Sequence, residues 1–232
     1  MKSKKVREEF LSFFFSKDHS LIPSSSLIIK DFSNIFKEEI SDKYSHSEQL
    51  TSFIESLLKE HNIGFPDLDA VAVSKGPGSY TGLRIGVSTA KGLCYALDKP
   101  LIGISTLKAM ASGMRKRYPN KLYCPMIDAR RMEVYMAFFQ EEKQLTEIEA
   151  HIIVKDSFSK MLVKGEVLFF GDGAEKCQDL FSHANATFIN NVYPSAKDMV
   201  VIAEKAFDQQ QFEDIAYFEP YYLKEFVAGS KK

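Results

Sequence analysis

Cysteine is scarce in this chain, and what there is stands apart. Cys94, Cys124 and Cys177 are widely spaced among 232 residues, and none falls in a C-x-x-C spacing. This excludes a disulfide framework and the common zinc motifs, and it reads as reduced core thiols of a cytoplasmic protein. An excess of one charge is also missing. The 30 basic residues offset 31 acidic ones, for a net charge of −1. No global field draws nucleic acid, so any RNA contact needs a local patch or a partner's surface. No apolar run approaches the ~20 residues of a membrane span. The basic opening turns acidic at once and has no cleavage-type segment, so no signal peptide is expected. The five histidines, His19, His46, His61, His151 and His183, form no H-x3-H pair, which leaves no metal site at workable spacing. No Gly-x-Ser-x-Gly elbow offers a serine nucleophile.

The chain does have alternating strand and helix patterns, which point to α/β layers. "KKVREEFLSFFF" (4–15) has Val6, Phe10, Phe13 and Phe14 at helical spacing and predicts a short helix. Ser45 and Glu48 form a capping box, with His46 at the helix start. Leu50, Phe53, Ile54, Leu57 and Leu58 then mark an amphipathic helix over 46–60. "LDAVAVS" (68–74) reads as a strand buried on both faces. A glycine loop, a helix over 82–97, the strand "LIGIS" and the helix "TLKAMASGMRKRY" follow. Beyond Pro119 come two strands, "KLYCPMID" and "MEVYMAFFQ", a third at "EIEAHIIV" and a short helix near 156–163. "EVLFFG" and "ATFIN" read as strands, "GAEKCQDLF" and 195–207 as helices, and the tail "FEPYYLKEFVAGSKK" should partly dock.

The loop itself, "SKGPGSYTGLRIG" (74–86), lies between strand and helix, where backbone N–H groups and a helix N-terminus can face an anion. Gly76, Gly78, Ser79 and Thr81 are its candidate phosphate or nucleotide contacts. The spacing fits neither the Walker A nor the dinucleotide fingerprint, because Thr81 takes the third glycine's place and Gly82 comes one residue late. Phosphate binding and a tight structural turn therefore both remain open. In the next helix Gly82, Gly86 and Ala90 sit four apart, with Arg84, Thr89 and Leu93 beside them. A helix-interior glycine costs about 1 kcal/mol against alanine, so close approach by another helix is expected to offset it. One reading packs this helix against the chain's own 46–60 helix, and the other has both helices present a surface to a second protein; the two are compatible.

Asp128, Arg130, Arg131 and Glu133 form the remaining polar cluster. It reads first as a solvated hairpin turn and second as a group that positions a partner or nucleotide, since arginine forks suit phosphates and carboxylates. Arg115, Lys116 and Arg117 read as helix-end charge.

"DAVAVSKGPGSYTGLRIGVSTAKGLCYALDKPLIGISTLKAMA" resembles the signature of the TsaB/YeaZ family of bacterial tRNA threonylcarbamoyladenosine biosynthesis proteins. "YSHSEQL", "PMIDARRMEVYMAFF", "FFGDGAEKC" and "PYYLKEF" extend the resemblance over about 37–225. It implies the two-lobed α/β fold of actin, Hsp70 and sugar kinases (ASKHA). It also implies a non-catalytic cytoplasmic subunit that pairs with the paralogue TsaD and the ATPase TsaE. TsaD transfers a threonylcarbamoyl group to N6 of adenosine 37 in ANN-decoding tRNAs. The family's contact with TsaD is a helix bundle made by the helices flanking this loop, which makes Leu50, Phe53, Leu57, Gly82, Arg84, Gly86, Thr89, Ala90 and Leu93 interface candidates. The resemblance implies no cofactor on this chain alone, allows ATP or ADP at the partner complex, brings tRNA in only through that complex, and is compatible with a homodimer. TsaD carries a metal-binding histidine pair where this chain has Ser105, Thr106 and Lys108.

The opening departs from the family. "VREEFLSFFFSKDHSLIPSSSLIIKD" resembles the start of bacterial alanyl-tRNA synthetase, and the first strands usual in the family are missing. The expected organisation is an atypical segment over 1–36, a first lobe over 37–118 lacking its usual N-terminal strands, and a second lobe over 119–232. "SLIIKDF" is a candidate replacement for one lost strand. The rival readings are an ATP-dependent ASKHA phosphotransferase and a stand-alone tRNA-binding module.

Overall fold

The computed structural model describes the backbone of residues 8–10, 13–17, 20–24, 26–30, 46–181 and 183–224, with side chains from residue 50 onward in the last two ranges. In chain order the strands are β1 (Glu8–Phe10), β2 (Phe13–Lys17), β3 (Ser20–Ser24) and β4 (Ser26–Lys30). Then come helix α1 (His46–Glu60), β5 (Ala70–Gly76), α2 (Tyr80–Leu97), β6 (Leu101–Ser105) and α3 (Thr106–Arg117). β7 (Leu122–Asp128), β8 (Glu133–Met136), β9 (Phe139–Gln140), β10 (Lys143–Gln144) and β11 (Glu149–Ile152) follow. The chain continues with α4 (Ser159–Leu162), β12 (Val167–Phe170), α5 (Asp172–Glu175), β13 (Ala186–Ile189), a 3-10 turn (Ala196–Met199) and α6 (Val200–Asp208).

One sheet has the order β1-β4-β5-β6. β5 and β6 are parallel, with α2 as their crossover, and β4 lies antiparallel to β5 in the register Leu27↔Val71. Strands buried on both faces can be apolar on both, and β5 shows it over Ala70, Val71, Ala72 and Val73. Val71 and Val73 turn to a core shared with Leu50, Ile54, Leu57 and Leu58 of α1 and Val87, Ala90 and Cys94 of α2. Ala70 and Ala72 turn the other way, onto Ala109 of α3 and Met199 and Ala203 near the C-terminus. These alanines are small because two helices crowd that face.

In the second sheet β12 lies parallel between β7 and β13, and β8 and β11 run antiparallel beyond β7. β12 alternates as a two-faced strand should. Val167 and Phe169 join Cys124, Met126 and Cys177 on one face, and Leu168 and Phe170 join Tyr123, Ile127 and Phe139 on the other. That second face is covered by Leu107, Met110, Ala111 and Met114 of α3. α3 thus touches both sheets, with Ala109 on one and the larger apolar residues on the other. Removing a fully buried ring such as Phe169 would cost about 3–5 kcal/mol.

Three expectations are corrected. The predicted helix over 4–15 is strand wherever it is described, at Glu8–Phe10 and Phe13–Lys17. The aromatic run Phe13-Phe14-Phe15 favours a pleated strand, and pairing with Ser20–Ser24 overrides the helical spacing. The helix expected in "GAEKCQDLF" is the single turn Asp172–Glu175, whose N-cap, Gly171, has no side chain to cap it. The helix expected over 195–207 opens as a 3-10 turn capped by Ser195 and becomes α-helical only at Val200. Helix 46–60 stands as expected, but Ser45 and the side chain of Glu48 lie outside the described residues.

Candidate functional site

β5 leads into the glycine loop through Gly76, which has φ +109° and a cis peptide to Pro77. Ser79 caps α2, its Oγ accepting the Gly82 N–H at 3.4 Å and its carbonyl accepting the Leu83 N–H at 2.9 Å. Thr81 is exposed in the first turn. So far the loop matches an anion cradle, but the chain's own end covers it. Residues 213–222 return as a strap across the ends of β5 and β6. Glu213 donates its N–H to the Leu101 carbonyl at 2.8 Å, and its carboxylate pairs with Lys75 at 3.3 Å. Lys91 of α2 donates to the carbonyl oxygens of Phe218 and Ala216 at 2.9 and 3.4 Å. The Tyr221 N–H meets the Lys75 carbonyl at 2.7 Å. Tyr222 stacks on Tyr80 with ring centroids 4.8 Å apart, and Arg84 donates to the Tyr80 hydroxyl at 3.2 Å.

This placement corrects the phosphate reading at Gly76. A Cβ there would stand 2.8 Å from the Tyr221 carbonyl oxygen, so the glycine makes room for the strap. A carbonyl oxygen aimed at that point also repels a phosphate. Gly103 in β6 serves the same docking, since a Cβ there would meet the Glu213 carboxylate at 2.6 Å and the Phe218 ring at 2.7 Å. Gly78 has ordinary clearance, its nearest neighbour being Leu83 at 3.8 Å.

The interface candidates divide by burial. Leu50 and Leu57 of α1 lie inside the core, and Gly82, Gly86 and Ala90 of α2 are buried within the chain. α2 packs on α1, β5 and β3. These five are therefore packing residues of the chain as it stands, a correction to their placement on a contact surface. Phe53, Thr89 and Leu93 are half-buried, and Arg84 is exposed. The open face of α2 carries other residues: Ser88, Gly92 and Ala96, four apart, with Tyr95 84% exposed beside them. A Cβ on Gly92 would meet nothing within 4 Å. Nothing among the described residues explains a helix-destabilising glycine there.

The polar cluster is a hairpin turn tied from below. Arg130 and Arg131 both lie in the left-handed region, at φ +69° and +51°. The Arg130 N–H bonds to Asp128 Oδ1 at 2.7 Å, and the Asp128 N–H bonds to Asp172 at 3.0 Å. Lys176 pairs with Asp128 and donates to the Arg131 and Glu133 carbonyl oxygens, both at 2.7 Å. Burial pushes the Asp172 carboxyl above its ordinary pKa, and the Asp128 charge adds to that. Glu133 pairs with Lys224. Asp128 and Glu133 thus have structural roles, while both arginine side chains project to solvent.

Elsewhere, His151 lies 3.0 Å from Glu149 and 3.4 Å from Ser157 Oγ, in the order carboxylate, imidazole, hydroxyl. Ser157 is buried and its Oγ accepts the Val154 N–H at 2.9 Å, so the set closes a turn. Burial pushes the Cys94 thiol up to about 12 and raises Cys124 and Cys177 as well, so none is a thiolate at neutral pH. Among the described residues no three His, Cys, Asp or Glu side chains converge as a metal ion requires, and no helix is long and apolar enough to cross a membrane. Sequence reasoning missed Lys91, Lys176 and the clamped strap. Gly103, a glycine inside a strand, was the available signal for a close approach.

A family profile described as TsaD, tRNA N6-adenosine threonylcarbamoyltransferase, matches residues 38–231. The Escherichia coli protein named tRNA threonylcarbamoyladenosine biosynthesis protein TsaB is 31% identical over 195 residues, covering 80% of this chain and 84% of its own length. The chain belongs to the TsaB/YeaZ family. The Bacillus subtilis TsaB is 36% identical over 133 residues, 56% of this chain and 57% of its own. Two structures from Pseudomonas aeruginosa share the TsaB/YeaZ fold at about one-fifth identity. One, described as an uncharacterized protein similar to peptidase YEAZ, has a TM-score of 0.77. The other, YeaZ, has a TM-score of 0.72, and each is aligned over 93% of this chain and 100% of its own. As a TsaB/YeaZ member the chain has a role in threonylcarbamoyladenosine biosynthesis.

Proposed function

We propose that the chain is a non-catalytic subunit that pairs with a TsaD-type transferase, together with the ATPase TsaE, for threonylcarbamoyl transfer to N6 of adenosine 37 in ANN-decoding tRNAs. On this reading residues 37–118 and 119–232 are its two lobes. Residues 1–36 are an atypical opening in which β4 and β1 stand in for the family's first strands.

The observation that carries the partner reading is the open α2 face. Ser88, Gly92 and Ala96 form a stripe of small residues, and Gly92 has empty space where a side chain would be. A helix interior keeps such a glycine when another backbone comes close, and here that backbone belongs to a second chain. Arg84 and Tyr95 border the stripe and supply the larger contacts that favour an interface. The strap over Gly76 counts against the phosphotransferase reading. Ser105, Thr106 and Lys108 at the β6–α3 corner supply no histidine ligands for a metal-assisted transfer.

The test is size exclusion with light scattering, with and without the cognate TsaD-type transferase. A one-to-one complex is expected for the wild type and not for Gly92→Arg, whose side chain has open space in the free chain and blocks helix approach. A Gly92→Arg chain that melts normally and still forms the complex would remove the α2 face from the contact. A wild-type chain that ignores the transferase would end the reading.

A further inference from the structure

The strap's backbone is clamped, yet its tyrosines are left standing out. Lys91, Leu101 and Lys75 hold the main chain of residues 213–221, and Phe218 fills the core. Tyr217 nevertheless keeps 83% of its surface exposed, and Tyr221 and Tyr222 remain open as well. The three rings border a groove of about 570 Å³ beside the glycine loop. Fixing the backbone while leaving large rings in water loses main-chain freedom without burying their apolar area, so the rings are preorganised for something the described residues do not contain.

The charges around the groove say what. Among the described residues that line it, its carboxylates are Glu213, Asp214 and Glu219, and its lining cation, Lys75, is already paired with Glu213. Asp214 accepts the Ala216 N–H through Oδ1. Glu219 has no hydrogen bond or ion pair among the described residues. It lies near Tyr222, whose phenol is pushed up first by burial and then by Tyr80, against the pull of Arg84, with Glu219 adding to the rise. Aromatic faces with uncompensated carboxylates attract cations. A planar guanidinium or an ammonium fits both at once, whereas a phosphate chain meets like charge. The precedent lies next door, where Arg84 already sits over the Tyr80 ring, 5.9 Å from its centroid.

We propose that this groove receives an arginine or lysine side chain projecting from the protein partner that the α2 face engages. The inference rests on the partner reading above and adds a second, acidic contact point to it. The side chain lays its stem on Tyr217 and Tyr221 and its cationic end against Glu219 and Asp214. This contact weakens with salt, which the small-residue stripe of α2 does not.

Two measurements separate the groove from the partner. The isotope-labelled chain is titrated with the tripeptide Gly-Arg-Gly at low salt and followed by amide NMR. Shifts confined to residues 213–222 and the neighbourhood of Lys75 are expected, with an affinity in the millimolar range. Tyr217→Ala and Glu219→Gln, neither of them part of the strap's clamp, should each weaken it severalfold with unchanged melting. Gly-Glu-Gly should give no shifts. The affinity for the transferase should fall about tenfold in the double variant. The proposal is overturned if Gly-Arg-Gly shifts nothing, if Gly-Glu-Gly shifts the same amides, or if a short single-stranded RNA binds there instead. It is also overturned if the double variant binds the transferase as tightly as the wild type. If the transferase does not bind at all while Gly-Arg-Gly still reports on the groove, the cation site stands and its partner is another protein.

Discussion

Asparagine at position 198 should make the protein more stable than the wild type at neutral pH and no more stable in acid. Asp198 stands in the 3-10 turn that leads into α6, with its carboxyl against Gly113 of α3, where no side chain keeps the two elements apart. Burial raises its pKa from 3.8 to about 6, against the pull of Arg117, Lys116 and Lys197. The folded chain therefore holds the proton more tightly than the unfolded chain. The associated stability is complete below about pH 4 and is lost as pH rises through about 6. Roughly two pH units at about 1.4 kcal/mol each give about 3 kcal/mol. Solvent reaching the half-buried group trims this, and the loss of a favourable negative charge near a helix N-terminus removes about 0.5 kcal/mol more. Asp198→Asn should thus be about 2 kcal/mol more stable at pH 7 and within about 0.5 kcal/mol of the wild type at pH 4. Urea unfolding at half-unit pH steps, followed by circular dichroism, gives the difference curve and cancels every other titrating group. A flat difference between pH 4 and 7, or a variant weaker at pH 7, would refute the reasoning.

Gly76→Ala must hold φ +109° and push the Tyr221 carbonyl aside. It should lose about 2–3 kcal/mol and open the strap to limited proteolysis, and an unchanged digestion pattern would count against the clamp. Lys176→Met removes the ion pair to Asp128 and one donor each from the Arg131 and Glu133 carbonyl oxygens, and should lower stability by about 1–2 kcal/mol in denaturant titration. Replacing residues 1–36 with the opening strands of a complete TsaB relative should raise the melting temperature by about 5 °C or more, since each kcal/mol is about 2–4 °C at this size. Equal melting would mean that β1 and β4 support the sheet as well as native strands do.

Where burial and period agree, the fold was legible from sequence. The almost wholly apolar run over 68–74 had to be a two-sided strand, and Leu50 to Leu58 had to be a helix turned inward. The same inward face explains why the site was read less well. Leu50, Leu57, Gly82, Gly86 and Ala90 stand out in sequence because they are apolar or small at helical spacing, and those are the properties that bury a residue in its own core. The accessible stripe is Ser88, Gly92 and Ala96, which looks like ordinary polar and small surface until the backbone shows that Gly92 faces empty space. The opening misled for another reason. Phe10, Phe13 and Phe14 fit a helix by spacing, but strand partners decide the outcome, Ser20–Ser24 for Phe13–Lys17 and Ser26–Lys30 for Phe10, and a helical period does not register them. The strap was invisible because Gly76 and Tyr221 are 145 positions apart, and only the fold brings them together.

That separation shapes how the chain is made. The first sheet takes its β5–β6 pair early, yet Gly76 and Gly103 stay uncovered until the final residues arrive to close over them. A ribosome must make every residue from Gly76 to Phe218 before Phe218 can enter the core and Lys91 can find its carbonyl oxygens. A chain cut before Glu213 would emerge with both glycines and the Leu101 carbonyl facing water, so a late-made segment sets the stability of the first sheet.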